Sequence, residues 1–253
     1  MEEERRFAER LAELARRETL PRAAAGIAAD DKNEGGAFDP VTEADRQAER
    51  VMRSLIEAEY PDHGISGEEF GDKAGGPLRW SLDPVDGTRA FVCGMPTWVT
   101  LIGLLRDDLP VLGVIDAPRL DELYVGYGEQ CWLNGSPIRT SGCRTLAEAR
   151  LSTTDPYLFE GAEAQAFSRV RNAVRTTRYS ADGYAYARLS AGSIDLVVET
   201  GLKPHDYNAL IPVVRGAGGV IGNWQGGSDF SQGAVVAAAS LELFDQAIGA
   251  LNR

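Results

Sequence analysis

The residues best suited to chemistry lie in Trp80-Ser-Leu-Asp-Pro-Val-Asp-Gly-Thr-Arg-Ala-Phe91. Asp83 ends a predicted strand, Pro84 stops its pairing, and Asp86 follows at a Gly87 turn. Such a turn can aim two carboxylates and the Val85 carbonyl into one pocket. Hard oxygen donors of this kind suit Mg²⁺ or Mn²⁺. Gly87 and Thr88 then offer backbone N–H groups at a predicted helix start, a seat for phosphate. An ordinary acidic turn uses the same residue types, so this segment alone leaves both readings open.

Other acidic segments weigh on the choice. Asp45 lies in Val-Thr-Glu-Ala-Asp at a helix start, Glu68 in Gly-Glu-Glu after a strand, and Asp206 after Lys-Pro-His before a helix. Sites are commonly assembled at the ends of elements. The elements that must position them follow from periodicity and from Gly/Pro punctuation. Helices are predicted over 4–25, 43–59, 158–173, 183–191, 206–217 and 240–251. Strands are predicted near 63–66, 79–83, 97–105, 110–116, 121–127, 149–153, 174–179, 193–199, 218–222 and 234–238. A polar, Gly-containing loop joins Asp30 to Phe38. A largely antiparallel first half and an alternating second half predict an α/β (α+β) chain with two sheets and helices packed on them. The expected organisation is one domain over 1–253 with lobes of about 1–153 and 154–253.

The 253 residues carry a formal net charge of −12, which disfavours nonspecific binding to nucleic acid or to an anionic membrane. An acidic chain that handles phosphate needs bound cations to offset like-charge repulsion. Cys93, Cys131 and Cys143 are odd in number and widely spaced, which fits a reducing compartment rather than a disulfide framework. The charged N-terminus does not read as a secretory signal, and the apolar run Trp98–Leu105 is too short to span a bilayer. The expectation is a soluble cytoplasmic protein.

Other phosphatase chemistries fit less well. A haloacid-dehalogenase arrangement needs its two aspartates two residues apart and a well-placed lysine; Asp83 and Asp86 are three apart, and the lysines are only Lys32, Lys73 and Lys203. The two histidines, His63 and His205, lack an Arg-His-Gly setting. The glycines at 216, 218, 219 and 222 follow a helix and place Ile221 where a dinucleotide-binding loop needs glycine, so close packing explains them better.

Taken together, Asp39-Pro-Val-Thr-Glu-Ala-Asp45, Gly67-Glu-Glu69, Asp83–Phe91, Lys203-Pro-His-Asp206 and Gly216-Ala-Gly-Gly219, in this order, resemble the signature set of the inositol monophosphatase superfamily. The resemblance covers nearly the whole chain and implies a layered α-β-α-β-α sandwich. It also implies two or three Mg²⁺ ions. Glu68, Asp83 and the Val85 carbonyl would hold one, and Asp83, Asp86 and Asp206 a second. Gly87 and Thr88 would bind phosphate, with Asp45, Thr88 and Glu68 catalytic: the Thr88 hydroxyl, paired with Asp45, would help deprotonate the attacking water. The expected reaction is direct hydrolysis of a small phosphate ester, and a homodimer is the assembly the resemblance suggests.

Within the superfamily, Gly36–Asp45, Pro61–Phe70, Asp86–Phe91 and Asp182–Lys203 look most like the histidinol-phosphatase branch. Asp182 and Glu199 would then contact the leaving group, and acidic partners suit a protonated amine and an imidazole. Asp182 reads equally well as a helix N-cap ahead of Gly183. Trp98, Tyr179, Tyr184 and Tyr186 read mainly as core. That branch usually has Cys where this chain has Gly183, an aromatic residue at His205 and an acidic one at Arg215. An inositol monophosphatase, another small-molecule phosphatase, or a non-catalytic regulatory protein on the same fold are the alternatives.

Overall fold

A computed structural model describes residues 1–24, 29–31 and 40–253. The Asp30–Phe38 loop (apart from Asp30 and Asp31), Asp39 and Lys32 lie outside the described residues.

Helices α1 (Glu2–Ala24) and α2 (Glu43–Glu59) flank a short antiparallel pair, β1 (Ala29–Asp31) with β2 (Pro40–Thr42). Then come β3 (Gly64–Gly67), β4 (Gly71–Lys73), β5 (Leu78–Asp86), the short helix α3 (Thr88–Val92), β6 (Val99–Arg106), β7 (Leu109–Ala117), β8 (Glu122–Tyr127), β9 (Gln130–Leu133) and β10 (Ser136–Pro137). Strands β3–β10 form one eight-stranded sheet, antiparallel except where β3 runs parallel to β5. Alternation along these strands sorts the side chains. Trp80, Leu82, Ile102, Leu104, Leu112 and Val114 face one way, onto Phe7, Leu11, Met52 and Ile56 of α1 and α2. Asp83 has the opposite parity to Leu82 and so lies on the other face of β5.

The second half contributes β11 (Arg150–Thr153), α4 (Gly161–Ala173), β12 (Thr176–Tyr179), α5 (Asp182–Ser190), β13 (Leu196–Glu199), α6 (Pro204–Tyr207), α7 (Leu210–Gly216), β14 (Val220–Gly222), β15 (Val235–Ala238) and α8 (Leu241–Leu251). Its five-stranded sheet runs β12-β11-β13-β15-β14. One face packs Leu151, Leu196 and Val198 on Phe167 and Val170 of α4 and Leu243 and Phe244 of α8. The other shares a core with α5, α7 and the inner face of the first sheet, through Val197, Ala187, Leu210, Val213, Leu101 and Ile115. The layers are therefore helix, sheet, helix, sheet, helix, as expected.

Two details near the site differ from what the sequence predicts. β5 does not stop at Pro84: it continues to Asp86 across a register irregularity after Asp83, and the Pro84 carbonyl accepts from Thr100 Oγ1 at 2.7 Å. The helix predicted over 206–217 is two helices. Pro212 has no N–H to offer the Asn208 carbonyl, and its ring crowds that carbonyl. The chain passes from the first sheet to the second between Pro137 and Arg150, because β11 pairs in parallel with β12 and β13.

Strands β6, β7 and β8 place Gly103, Gly113 and Gly126 side by side in register, on the face turned to the middle helices. A Cβ on Gly113 would lie 2.0 Å from the Ala209 carbonyl oxygen, and one on Gly126 2.4 Å from Val213 Cα. The segment joining α6 to α7 thus rests on bare backbone, and Asn208 Nδ2 donates to Ser81 Oγ beside the row at 3.1 Å.

Candidate active site

The end of β5 sets the centre of the site. Asp83 is 2% exposed, and its Oδ1 accepts from Val85 N at 3.1 Å. Asp86 Oδ2 accepts from Gly183 N at 2.6 Å, which ties β5 to the start of α5. Gly87 has φ +80, which favours glycine at this turn, and a Cβ there would stand 3.0 Å from Asp182 Oδ2 and crowd that side chain. Asp206, in the first turn of α6, accepts from Lys203 N at 2.6 Å through Oδ2, and His205 Nε2 lies 3.4 Å from its Oδ1.

Asp83, Asp86 and Asp206 converge: one ligand oxygen from each lies within 4.8 Å of the others. Glu68 is in hydrogen-bonding range of Asp83, and its backbone N–H donates to Leu82 O at 3.2 Å. Burial pushes the carboxyls of Asp83, Asp86 and Asp206 up; repulsion from neighbouring carboxylates pushes Asp83 and Asp86 further, while His205 and Lys203 act against the rise at Asp206. A set of hard oxygen donors that repel one another when ionised fits a Mg²⁺ site, because a divalent cation removes that repulsion.

The Glu68 loop has a support that the sequence did not reveal. Glu49 is fully buried on α2; its Oε2 accepts from Glu69 N at 2.7 Å, and its Oε1 accepts from Phe70 N at 3.2 Å and from Arg53 Nε at 2.7 Å. In the sequence Glu49 is one more polar position on an amphipathic helix.

Thr88 lines the groove and Asp45 lies near Glu68 and Glu69, but the two lack the pairing expected of them. Asp45 Oδ2 accepts from the backbone N–H and the hydroxyl of Thr42, closing a capping box on α2. Its Oδ1 is buried with no partner among the described residues. Burial raises its pKa to about 6, against the Thr42 hydrogen bonds, and Glu69 and Glu68 add to the rise. The Thr88 hydroxyl donates to the Val85 carbonyl at 2.9 Å instead of to Asp45.

A groove of 250 Å³ runs over Glu68, Asp83, Val85, Asp86, Gly87, Thr88 and Asp206, with Arg89, Lys203 and His205 at its edges. It adjoins a cavity of 160 Å³ bordered by Asp86, Asp182, Tyr186, Glu199, Asp206 and Thr154. Glu199 ends β13 and is 2% exposed. Its Oε1 accepts from Thr154 N at 2.7 Å and Thr154 Oγ1 at 3.0 Å, and its Oε2 from Thr153 Oγ1 at 3.1 Å. Burial still raises its pKa to about 8. Asp182 does not cap α5: Ala181 holds that position, and Asp182 begins the helix in the left-handed region at φ 44. Burial raises its pKa to about 6, with Arg89 acting against the rise.

Thr154 is a site residue that the sequence reading missed; its signal is a pair of threonines at the end of a strand. Of the four aromatics read as core, Trp98 and Tyr186 are each 1% exposed, whereas Tyr179, on edge strand β12, is 42% exposed. His63 is a packing residue, stacked on Tyr60 and accepting from Trp80 Nε1 at 3.1 Å.

Comparison with known proteins places this geometry. The profile of the inositol monophosphatase family matches residues 1–253. A relative named bifunctional phosphatase IMPL2, chloroplastic, from Arabidopsis thaliana is 47% identical over 191 residues, which is 74% of this chain and 55% of the relative. The chain thus spans about half the length of that relative. A protein named histidinol-phosphatase from Chlorobaculum parvum is 34% identical over 216 residues, 84% of this chain and 83% of that one. A solved inositol monophosphatase from Zymomonas mobilis superposes with a TM-score of 0.90 at 41% identity, covering 100% of this chain and 98% of its own. With the family profile matched end to end, the fold reproduced and three clustered carboxylates in place, the chain belongs to the inositol monophosphatase family.

Proposed function

We propose that the chain is a Mg²⁺-dependent phosphomonoesterase that hydrolyses L-histidinol phosphate to L-histidinol and phosphate. The observation that carries this reading is the adjacency of two acidic compartments. The Asp83–Asp86–Asp206 cluster opens directly into the cavity bordered by Asp182 and Glu199. The first suits a metal-assisted attack on phosphorus. The second suits a leaving group that brings positive charge, because a protonated amine beside Asp182 and Glu199 would hold both carboxyls ionised. Relatives named histidinol-phosphatase from three organisms are 32% to 34% identical over more than four fifths of the chain, which supports the same choice.

Glu68, Asp83, the Val85 carbonyl, Asp86 and Asp206 would hold the metal. When bound, Mg²⁺ supplies positive charge to the phosphoryl oxygens and acidifies water. The protein's own residues do the rest. Gly87 and Thr88 border the groove where the phosphate would sit. Asp45 offers the unpartnered Oδ1, and a pKa of about 6 suits it to take a proton near neutral pH, directly or through the Thr88 hydroxyl once that turns from Val85. The free cysteines fit a reducing compartment such as the cytoplasm, and among the described residues no helix is long and apolar enough to cross a membrane.

The second reading is an inositol monophosphatase. The Zymomonas mobilis structure supports it, as do Gly183 and His205, where the chain departs from the histidinol-phosphatase pattern beside the leaving-group cavity. Phosphate release with saturating Mg²⁺ from L-histidinol phosphate and from myo-inositol 1-phosphate separates the two. A higher kcat/KM for histidinol phosphate is expected; preference for the inositol ester would replace the first reading with the second.

A further inference from the structure

Tyr186 raises a question that packing does not answer. Its ring lies in the core between the two sheets, where phenylalanine would fill nearly the same volume. Its hydroxyl is buried and has no hydrogen-bond partner among the described residues. A buried hydroxyl left unpaired destabilises a fold, so its presence calls for a partner that comes from outside the chain.

Its position says where that partner sits. Tyr186 lies four residues after Asp182 on α5, so the two side chains share one face of the helix, and both border the 160 Å³ cavity. The carboxylates that act on the hydroxyl are Glu199, Asp86 and Asp206, all on the same cavity. Glu199 already accepts three hydrogen bonds from Thr153 and Thr154. Of the buried polar side-chain atoms without a partner among the described residues, the Tyr186 hydroxyl alone belongs to a residue on this cavity.

We propose that Tyr186 is a specificity-determining residue whose hydroxyl hydrogen-bonds a nitrogen or hydroxyl of the leaving group, remote from the phosphate. The cavity then selects esters whose alcohol carries a second polar group. This rests on the phosphatase reading for its substrates, but not on which ester is the natural one.

The test compares wild type with Tyr186→Phe, which removes only the hydroxyl. With saturating Mg²⁺, kcat/KM is measured for L-histidinol phosphate, myo-inositol 1-phosphate and n-propyl phosphate, whose leaving group has no second polar atom. The free alcohols L-histidinol and myo-inositol are titrated calorimetrically in Mg²⁺ and inorganic phosphate, which needs no turnover. For the polar ester that wild type prefers, kcat/KM should fall about tenfold, mainly through KM. The matching alcohol should bind correspondingly more weakly, n-propyl phosphate should change less than twofold, and Tm should not fall. An equal loss on n-propyl phosphate, or no loss on any ester, overturns the proposal. If wild type turns over no ester yet binds an alcohol that Tyr186→Phe releases, the cavity assignment stands and the phosphatase reading falls. If wild type binds neither alcohol, the assignment falls.

Discussion

The two sheets meet at the site but contribute different things. The eight-stranded sheet delivers Glu68, Asp83 and Asp86 from neighbouring strands within a short stretch of chain, and the backbone or a buried side chain fixes each surrounding turn. The second half delivers Asp182, Tyr186, Glu199 and Asp206 from three elements, α5, β13 and α6, and all four border the cavity beside the metal cluster. Only Asp206 crosses over to join the metal cluster. On the proposed reading, bond-making chemistry would belong to the first sheet and discrimination between esters to the second half, with Asp206 as the link. A site divided this way can change substrate by altering one half while the other stays fixed.

The strongest test of that division is Asp83→Asn. It should reduce turnover of every ester by about 10³-fold or more, since a charged donor shared across the cluster is lost. The metal-free protein should unfold no more easily than wild type, because one repelling carboxyl has gone. Assays on several esters, with circular dichroism as a check on folding, read both effects; activity surviving on any ester would break the division.

Glu199→Gln should act on the ratio of esters instead. Losing a charged partner for an amine costs about 1.5–3 kcal/mol, roughly 10- to 100-fold in kcat/KM for histidinol phosphate relative to myo-inositol 1-phosphate. Some stability should also be lost, because a Gln amide cannot accept all three donors from Thr153 and Thr154. Equal losses on the two esters would move Glu199 from recognition to scaffolding.

The smallest effect is on how stability varies with pH. Asp45 and Asp182 have folded pKa values of about 6 against a reference of 3.8, and Glu199 about 8 against 4.5. The folded state therefore binds more protons than the unfolded chain between those limits. The stability these groups contribute is complete below the unfolded values and is lost as pH rises through about 6 and then about 8. Urea midpoints in EDTA should fall between pH 5 and pH 8.5, and Mg²⁺ should reduce the fall. Asp116, buried against Arg16 on the opposite face of the first sheet, is also raised to about 6, so part of the slope should remain with Mg²⁺ present. A slope that Mg²⁺ leaves unchanged would show that the site carboxyls do not cause it.

Much of this was legible in the sequence, for identifiable reasons. Helices α1, α2 and α8 follow the 3.6-residue spacing of apolar positions, and Asp83, Asp86 and Gly87 sit in one short run whose residue types announce a turn. What escaped depends on approach between distant segments. Pro84 was read as a stop, but a local irregularity carries β5 past it. Glu49 and Thr154 gain their roles only when α2 meets the Glu68 loop and β11 meets β13. Tyr186 looks like any core aromatic until its hydroxyl is seen to lack a partner.

The row Gly103–Gly113–Gly126 acts as a gauge block. Along it the spacing between the first sheet and the α6–α7 segment is that of main chain on main chain, with no side-chain layer between. Asp206 rides on that segment, so its reach towards Asp83 and Asp86 is fixed by methyl groups that are absent, none of them bordering the groove or the cavity. Cation size is read by such a distance: Mg²⁺ demands oxygens at about 2.0–2.1 Å, whereas Ca²⁺ accepts 2.3–2.6 Å. On the proposed Mg²⁺ reading, selection of the smaller ion would rest on this row of bare backbone as much as on the carboxylates that would touch the metal.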